Sequence, residues 1–285
     1  MALGSPDNRE PERGSDDRRV TVAARSRTDL RLLPLADSVA TRAAADLLGE
    51  IWQLTPPGTP ISAEFLRALA HTDNYVYGAY DGDEMVGVSA GIRGIHVGQD
   101  CLHSQITGVV AMHRGQAVGT ALKRHQQVWA RERGLVTITW TFDPLVRRNA
   151  YFNLVKLGAR PAEFLPNFYG AMSDGYNAGD ESDRLLVAWP TNASAVRDGV
   201  RKHDGLRPRA RLVRGDGETP TVQQVSDDWL TLEIPLDIHA MRRQAPDLAL
   251  RWRRVFRAVL QDLLAADYRI ASFDQSAGYL LRRPT

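Results

Sequence analysis

One cysteine in 285 residues, Cys101, excludes an intrachain disulfide framework. Its place beside an apolar strand predicts a buried thiol in a reducing compartment. Seven histidines show no zinc-ligand spacing and have no cysteine pair beside them, so no metal is expected. Charge of one sign is lacking as well: 36 Lys and Arg stand against 34 Asp and Glu. That near-balance provides no electrostatic footprint for nucleic acid. The stretch 1–19 has almost no apolar content, neither a secretory core nor a membrane span, which predicts a disordered tail over 1–25, a cytoplasmic chain and no membrane partner. Neither Gly-x-x-x-x-Gly-Lys-Ser/Thr nor Gly-x-Gly-x-x-Gly occurs, so phosphate-loop and dinucleotide folds lack support.

A 43% apolar content is enough for a core without staples. Leu30 to Leu33 reads as a strand, about 37–52 and 62–70 as helices, and 74–80 with 85–91 as a hairpin around Asp81-Gly82-Asp83. The strongest signals come next: strand 103–110, a turn over 113–118, helix 119–133, Gly134, and strand 135–141. The helix is expected to bury Val118, Leu122, Val128 and Ala130, leaving Lys123, Arg124, Arg131 and Glu132 in solvent. Further on, 145–157 reads as a helix ending before Gly158, and 185–189 as a strand stopped by Pro190. The polar stretch 191–222 reads as a linker or long loop, and 223–285 as an α+β extension packed on the domain at 26–190. Its arginines (Arg242, Arg243, Arg251, Arg253, Arg254, Arg257) accompany an apolar series from Trp252 to Leu263, which favours helix packing, with a homodimer as one outcome, over nucleic acid.

The turn carries the chemistry. In Arg114-Gly115-Gln116-Ala117-Val118-Gly119-Thr120, an arginine can meet phosphate charge, the glycines remove obstruction, and amides from Gly115 through Thr120 at a helix start can cradle a diphosphate. The alternative, a tight solvent turn, stays open on pattern alone.

This turn resembles the Arg/Gln-x-x-Gly-x-Gly/Ala diphosphate motif of the GNAT superfamily of N-acetyltransferases, and Arg148 to Gly158 resembles that family's helix ending in Lys-Leu-Gly. The two matches stand in the family's order and separation, and the resemblance covers roughly Leu30 to Trp189. Segments 140–153, 156–159 and 167–170 further resemble a bacterial acetyltransferase-like group with a C-terminal extension.

The resemblance implies an α+β fold in three α/β/α layers, with a mixed, mostly antiparallel sheet of the acyl-CoA N-acyltransferase type. It also implies acetyl-CoA or another acyl-CoA as cosubstrate, a small-molecule acceptor, and direct attack by an amine. Val109, Val110, Met112, Arg114, Gly115, Gln116, Ala117, Val118, Gly119, Thr120 and Asn149 are then candidates for holding the acyl-CoA. His103 or Asp143 would take the amine's proton. Two departures matter. Ala117 replaces a motif glycine, so good donor presentation asks for a negative φ there. Leu154 occupies the place of the tyrosine that many members use to protonate departing CoA, leaving Tyr151 or Tyr169 as the acid. A noncatalytic acyl-CoA binder and transfer to a hydroxyl or carbon centre remain alternatives.

Overall fold

The computed structural model describes residues 30–55, 58–170, 172, 175, 180–193, 208–215 and 219–284. The expected tail over 1–25 lies outside them.

A seven-stranded sheet in the order β1-β2-β3-β4-β5-β7-β6 forms the first layer system. Its strands are β1 (Leu30–Pro34), β2 (Tyr75–Asp81), β3 (Glu84–His96), β4 (Gln99–Val109), β5 (Thr137–Phe142), β6 (Arg160–Leu165) and β7 (Arg184–Pro190). All neighbours are antiparallel except β4 and β5. Alternation along β2 explains the layers, because successive side chains point to opposite faces. Val76 joins Leu35, Leu48 and Leu66 under α1 (Ser38–Ile51) and α2 (Ala63–His71). Tyr75 meets α3 (Val118–Glu132) from the other side, its hydroxyl 2.9 Å from His125 Nδ1 and its ring edge-on to Trp129. The expected α+β class with a mixed, mostly antiparallel central sheet and an added C-terminal unit is what the structure shows.

Two features of β4 shape the molecule. Between Gly91 and its neighbours on β3 the register shifts: Ala90 pairs with Ile106 but Ile92 with His103, so β4 carries one extra residue at Ser104-Gln105, a bulge that bends the strand. On its other side β4 pairs with β5 only from Cys101 to His103, opposite Thr137 to Thr139. Beyond that point the two strands part, and Ser104 to Val109 have no strand partner on that side. Gly108 lets α1 approach there, since a Cβ would stand 2.8 Å from the Trp52 ring.

The helix expected over 145–157 is a short α4 (Arg147–Ala150) running into a π-helical segment, Tyr151–Lys156. Strand β6, which contains Pro161, is a sheet edge, the one place a strand tolerates the missing donor.

The second sheet runs β11-β12-β10-β8-β9. It comprises β8 (Arg209–Arg214), β9 (Pro220–Val222), β10 (Trp229–Leu232), β11 (Arg269–Asp274) and β12 (Gly278–Arg282), with helices α5 (Ile238–Gln244) and α6 (Pro246–Ala265). Thus β8 and β9 stand inside the stretch assigned to a linker. Both are short, β8 carrying Arg209, Arg211 and Arg214, and β9 is the edge of its sheet. α6 buries Trp252, Phe256, Val259, Leu260 and Leu263 at helical spacing, and these join Val187 and Trp189 of the first sheet in one continuous core.

Candidate active site

The parting of β4 and β5 opens into a cleft of about 900 Å³. Its floor is the β4 bulge and Trp140 of β5; one rim is the turn before α3, another is α4 with the π segment, and Leu236, His239 and Gln275 of the extension also reach it.

At the α3 rim, Ala121 N is bonded to Ala117 O, but the amides of Gly115, Ala117, Val118, Gly119 and Thr120 make no hydrogen bond among the described residues. Four of these five residues surround the first turn of α3, where the helix dipole favours an anion. Gly119 has no internal reason to be glycine. Its φ is unremarkable, and an added Cβ would meet only ordinary contacts, 3.8 Å to Val109 and 3.9 Å to Phe152. A side chain there would instead enter the cleft between Val109 and Phe152, beside the unpartnered amides. Expectation and structure differ at Ala117: its φ is +66°, left-handed, as is that of Gly115 at +84°. A left-handed backbone costs a residue with a Cβ about 1–2 kcal/mol. These residues fit a linked diphosphate.

Val109, Arg114, Gly115, Ala117, Val118, Gly119, Thr120, Asp143, Asn149 and Tyr151 all line the cleft. His103, Val110, Met112, Gln116 and Tyr169 lie outside its lining. Val110 N is bonded to Val86 O at 3.1 Å, so that amide is spent on the sheet. Met112 is 85% exposed, and the Gln116 side chain folds back onto Met112 O at 2.9 Å. His103 stands at the last paired position before the parting, Nδ1 3.1 Å from Thr139 Oγ1; burial, then the nearby Lys123, push its pKa down. Tyr169 is half exposed, its hydroxyl 3.3 Å from Thr141 Oγ1. Tyr151 lies on the cleft and Lys156 hangs 5.7 Å over its ring. That pairing five residues apart is the neighbour relation of a π-helix, and the wider turn carries Leu154 round to Ile270 and Ala271 of the extension.

Asp143 is bound as an anchor. Arg242 Nη2 donates to its Oδ2 at 2.5 Å, Arg253 Nη2 at 2.8 Å, and its Oδ1 accepts from Leu145 N at 2.9 Å. Burial would raise its pKa, but the Arg253 and Arg242 guanidinium groups outweigh that and hold the carboxyl well below the usual carboxylate range. Both arginines also reach Asp180 Oδ2 at 3.0 Å. Arg253 is fully buried, so the basic series of α6 is in part an internal clamp rather than a solvated face. Arg147, which opens α4, is likewise committed, its guanidinium donating to Ile234 O and Gln275 O at 2.5 Å.

Sequence reasoning missed Lys123. It is expected in solvent, yet it is 5% exposed while Val128, expected inside, is 41% exposed. The inward face of α3 follows Val118, Leu122, Gln126 and Trp129-Ala130, and Lys123 shares it. Lys123 Nζ donates to Ser104 Oγ in the bulge at 2.6 Å and lies 4.1 Å over the Trp140 ring. Burial pushes its pKa down to about 7. The signal was the four-residue spacing from Gly119, which puts Lys123 one turn into the helix above the parted strands. Among the described residues no group of three His, Cys, Asp or Glu side chains is arranged to hold a metal ion, and no helix is long and apolar enough to cross a membrane.

No family model and no curated protein matches this chain. Among solved structures it is similar to an aminoglycoside 6'-acetyltransferase type Ii, at 21% identity over 58% of this chain and 98% of that one, TM-score 0.45. An N-acetyltransferase from Staphylococcus aureus is 14% identical over 58% of this chain and 100% of the other, TM-score 0.47. An IAA acetyltransferase from Bacillus cereus is 12% identical over 56% and 99%, TM-score 0.42.

Proposed function

We propose that the protein is an acyl-CoA-dependent acyltransferase that transfers acetyl to the amine of a small metabolite by direct attack within a ternary complex. The observation that carries this reading is the row of unpartnered amides at Gly115 and Ala117 to Thr120, at one end of a cleft that continues into the parted strands. Those amides, with Arg114, suit the cosubstrate's diphosphate. The unpaired side of β4 from Ser104 to Val109 suits the amide-bearing arm that follows, and a strand amide there can stabilise charge on the thioester oxygen. Asn149 and Tyr151 stand at the opposite rim, near the reacting end. The cosubstrate supplies the activated acyl group; the chain's own contribution is to hold two reactants in line and to carry a proton.

The test is calorimetric titration with acetyl-CoA, followed by incubation with a panel of amino acids, amino-acid amides, aminosugars and polyamines, reading free CoA and the acylated amine by mass spectrometry. One-to-one binding and an amine-dependent product support the reading. Binding without any product would favour the noncatalytic acyl-CoA binder, to which Leu154, turned away from the cleft, lends its weight.

A further inference from the structure

Only three of the 36 basic residues are lysines, Lys123, Lys156 and Lys202; the chain otherwise uses arginine. One of the three is buried at the floor of the cleft, bonded to a single hydroxyl, with no carboxylate within ion-pair distance among the described residues. A residue that only filled that space would desolvate an ammonium in exchange for one hydrogen bond, a cost that methionine would avoid. What lysine offers that arginine does not is the ability to lose its proton.

We propose that Lys123 Nζ is the proton carrier of the transfer, an inference that rests on reading this cleft as the place where acyl-CoA meets an amine. As the amine nitrogen bonds to the thioester carbon, its proton passes to Nζ. As the carbon–sulfur bond breaks and its electron pair goes to sulfur, Nζ returns that proton to give the CoA thiol. The lysine ends neutral, as it began, and no tyrosine is required at the position of Leu154.

The surroundings suit both charge states. Neutral Nζ donates one hydrogen to Ser104 Oγ and keeps a lone pair; protonated Nζ faces the Trp140 ring at 4.1 Å, which favours a cation. The titratable group facing it from β4 is His103, itself kept neutral by burial; β5 contributes Trp140 and Thr139, without charge; along α3, Arg124 turns away to the Trp189 ring. With the pKa pushed down to about 7 by burial, Nζ is basic enough to relieve a protonated nitrogen in the tetrahedral intermediate and acidic enough to protonate a thiolate, whose free pKa is about 8.5.

The experiment labels the lysine Cε positions with 13C, giving three signals in the full chain, and assigns Lys123 by its loss in Lys123→Arg. Its titration is then compared with the pH profile of CoA release from acetyl-CoA and the amine identified by the panel above. The Lys123 signal should turn over at a pH of about 7, and the rate should rise with pH through the same midpoint. Lys123→Arg should lower the rate about a hundredfold or more and erase that limb while leaving acetyl-CoA affinity unchanged. Ser104→Ala, which removes the one hydrogen-bond partner of the ammonium among the described residues, should move the limb to lower pH, a shift that a merely structural lysine would not produce. A Lys123 signal that titrates near 10, or a Lys123→Arg enzyme with the wild-type rate and limb, would overturn the proposal. Failure of the wild-type protein to bind acetyl-CoA would instead defeat the reading of the cleft, whatever Lys123 does.

Discussion

Two ionisable side chains are buried at the same cleft, Lys123 from α3 and Asp143 just after β5, and they differ in their partners. Asp143 has two guanidinium groups and a backbone amide within hydrogen-bonding distance; Lys123 has one serine hydroxyl and an aromatic face. Desolvation disfavours the charged form of each. For Asp143 the arginines reverse that effect, so it stays an anion and joins the extension to the first sheet. For Lys123 no carboxylate among the described residues reverses it, so its charged and neutral forms come close to balance at about pH 7. A buried charge surrounded by counter-charge is structural; one left alone becomes chemically available.

The largest effect should come from dismantling the well-partnered side. Arg253→Met leaves Asp143, Asp180 and Asp183 short of a counter-charge in a dry site, and urea denaturation at pH 7 should register a loss of about 3–5 kcal/mol. Lys123→Met should act in the opposite direction. A lysine whose folded pKa is depressed carries no penalty above its unfolded value of 10.5, an increasing one as pH falls, and the full one below about 7. The substitution should therefore stabilise by something on the order of 2–4 kcal/mol at pH 6 and by little at pH 10, read as a pH-dependent difference in Tm. Equal effects at the two pH values would mean that Lys123 keeps its charge in the fold.

Acid should distinguish the two residues again. Asp143 has a depressed pKa, so its contribution is complete above its unfolded value of 3.8 and is lost as pH falls below it. Hydrogen-exchange protection in α6, relative to the intrinsic rate at each pH, should fall below about pH 4 before protection in α3 does. The smallest effect is local. Ala117→Gly removes the Cβ from a left-handed backbone and should raise stability by about 1 kcal/mol without weakening acetyl-CoA binding.

The order of strands and helices was legible wherever periodicity ran long. The turn at 113–118 and the helix that follows stand where apolar spacing and glycines put them, and the two motif matches fall on opposite rims of one cleft. Four things were not legible. The π-helical turn at Tyr151–Lys156 packs against β11 of the extension, and no local pattern in the sequence marks it. Strands β8 and β9 are short, without a run of alternating apolar residues, and pair with β10 and each other. The ion cluster joins Asp143 to arginines about a hundred residues away, and a sequence read locally shows those arginines only as a basic helix face. Lys123 failed for a related reason: a charge on an amphipathic helix is assigned to solvent by default, and only the parted strands beneath it reveal otherwise.

The central claim is that the amides opening α3 hold the cosubstrate's linked phosphates. Gly119→Ala tests it most directly, because the added methyl meets no close internal neighbour yet enters the cleft that Val109 and Phe152 line beside those amides. Parallel calorimetric titrations with acetyl-CoA should show the variant at least about tenfold weaker, roughly 1.4 kcal/mol, at unchanged Tm. Equal affinity in the two proteins would contradict the account.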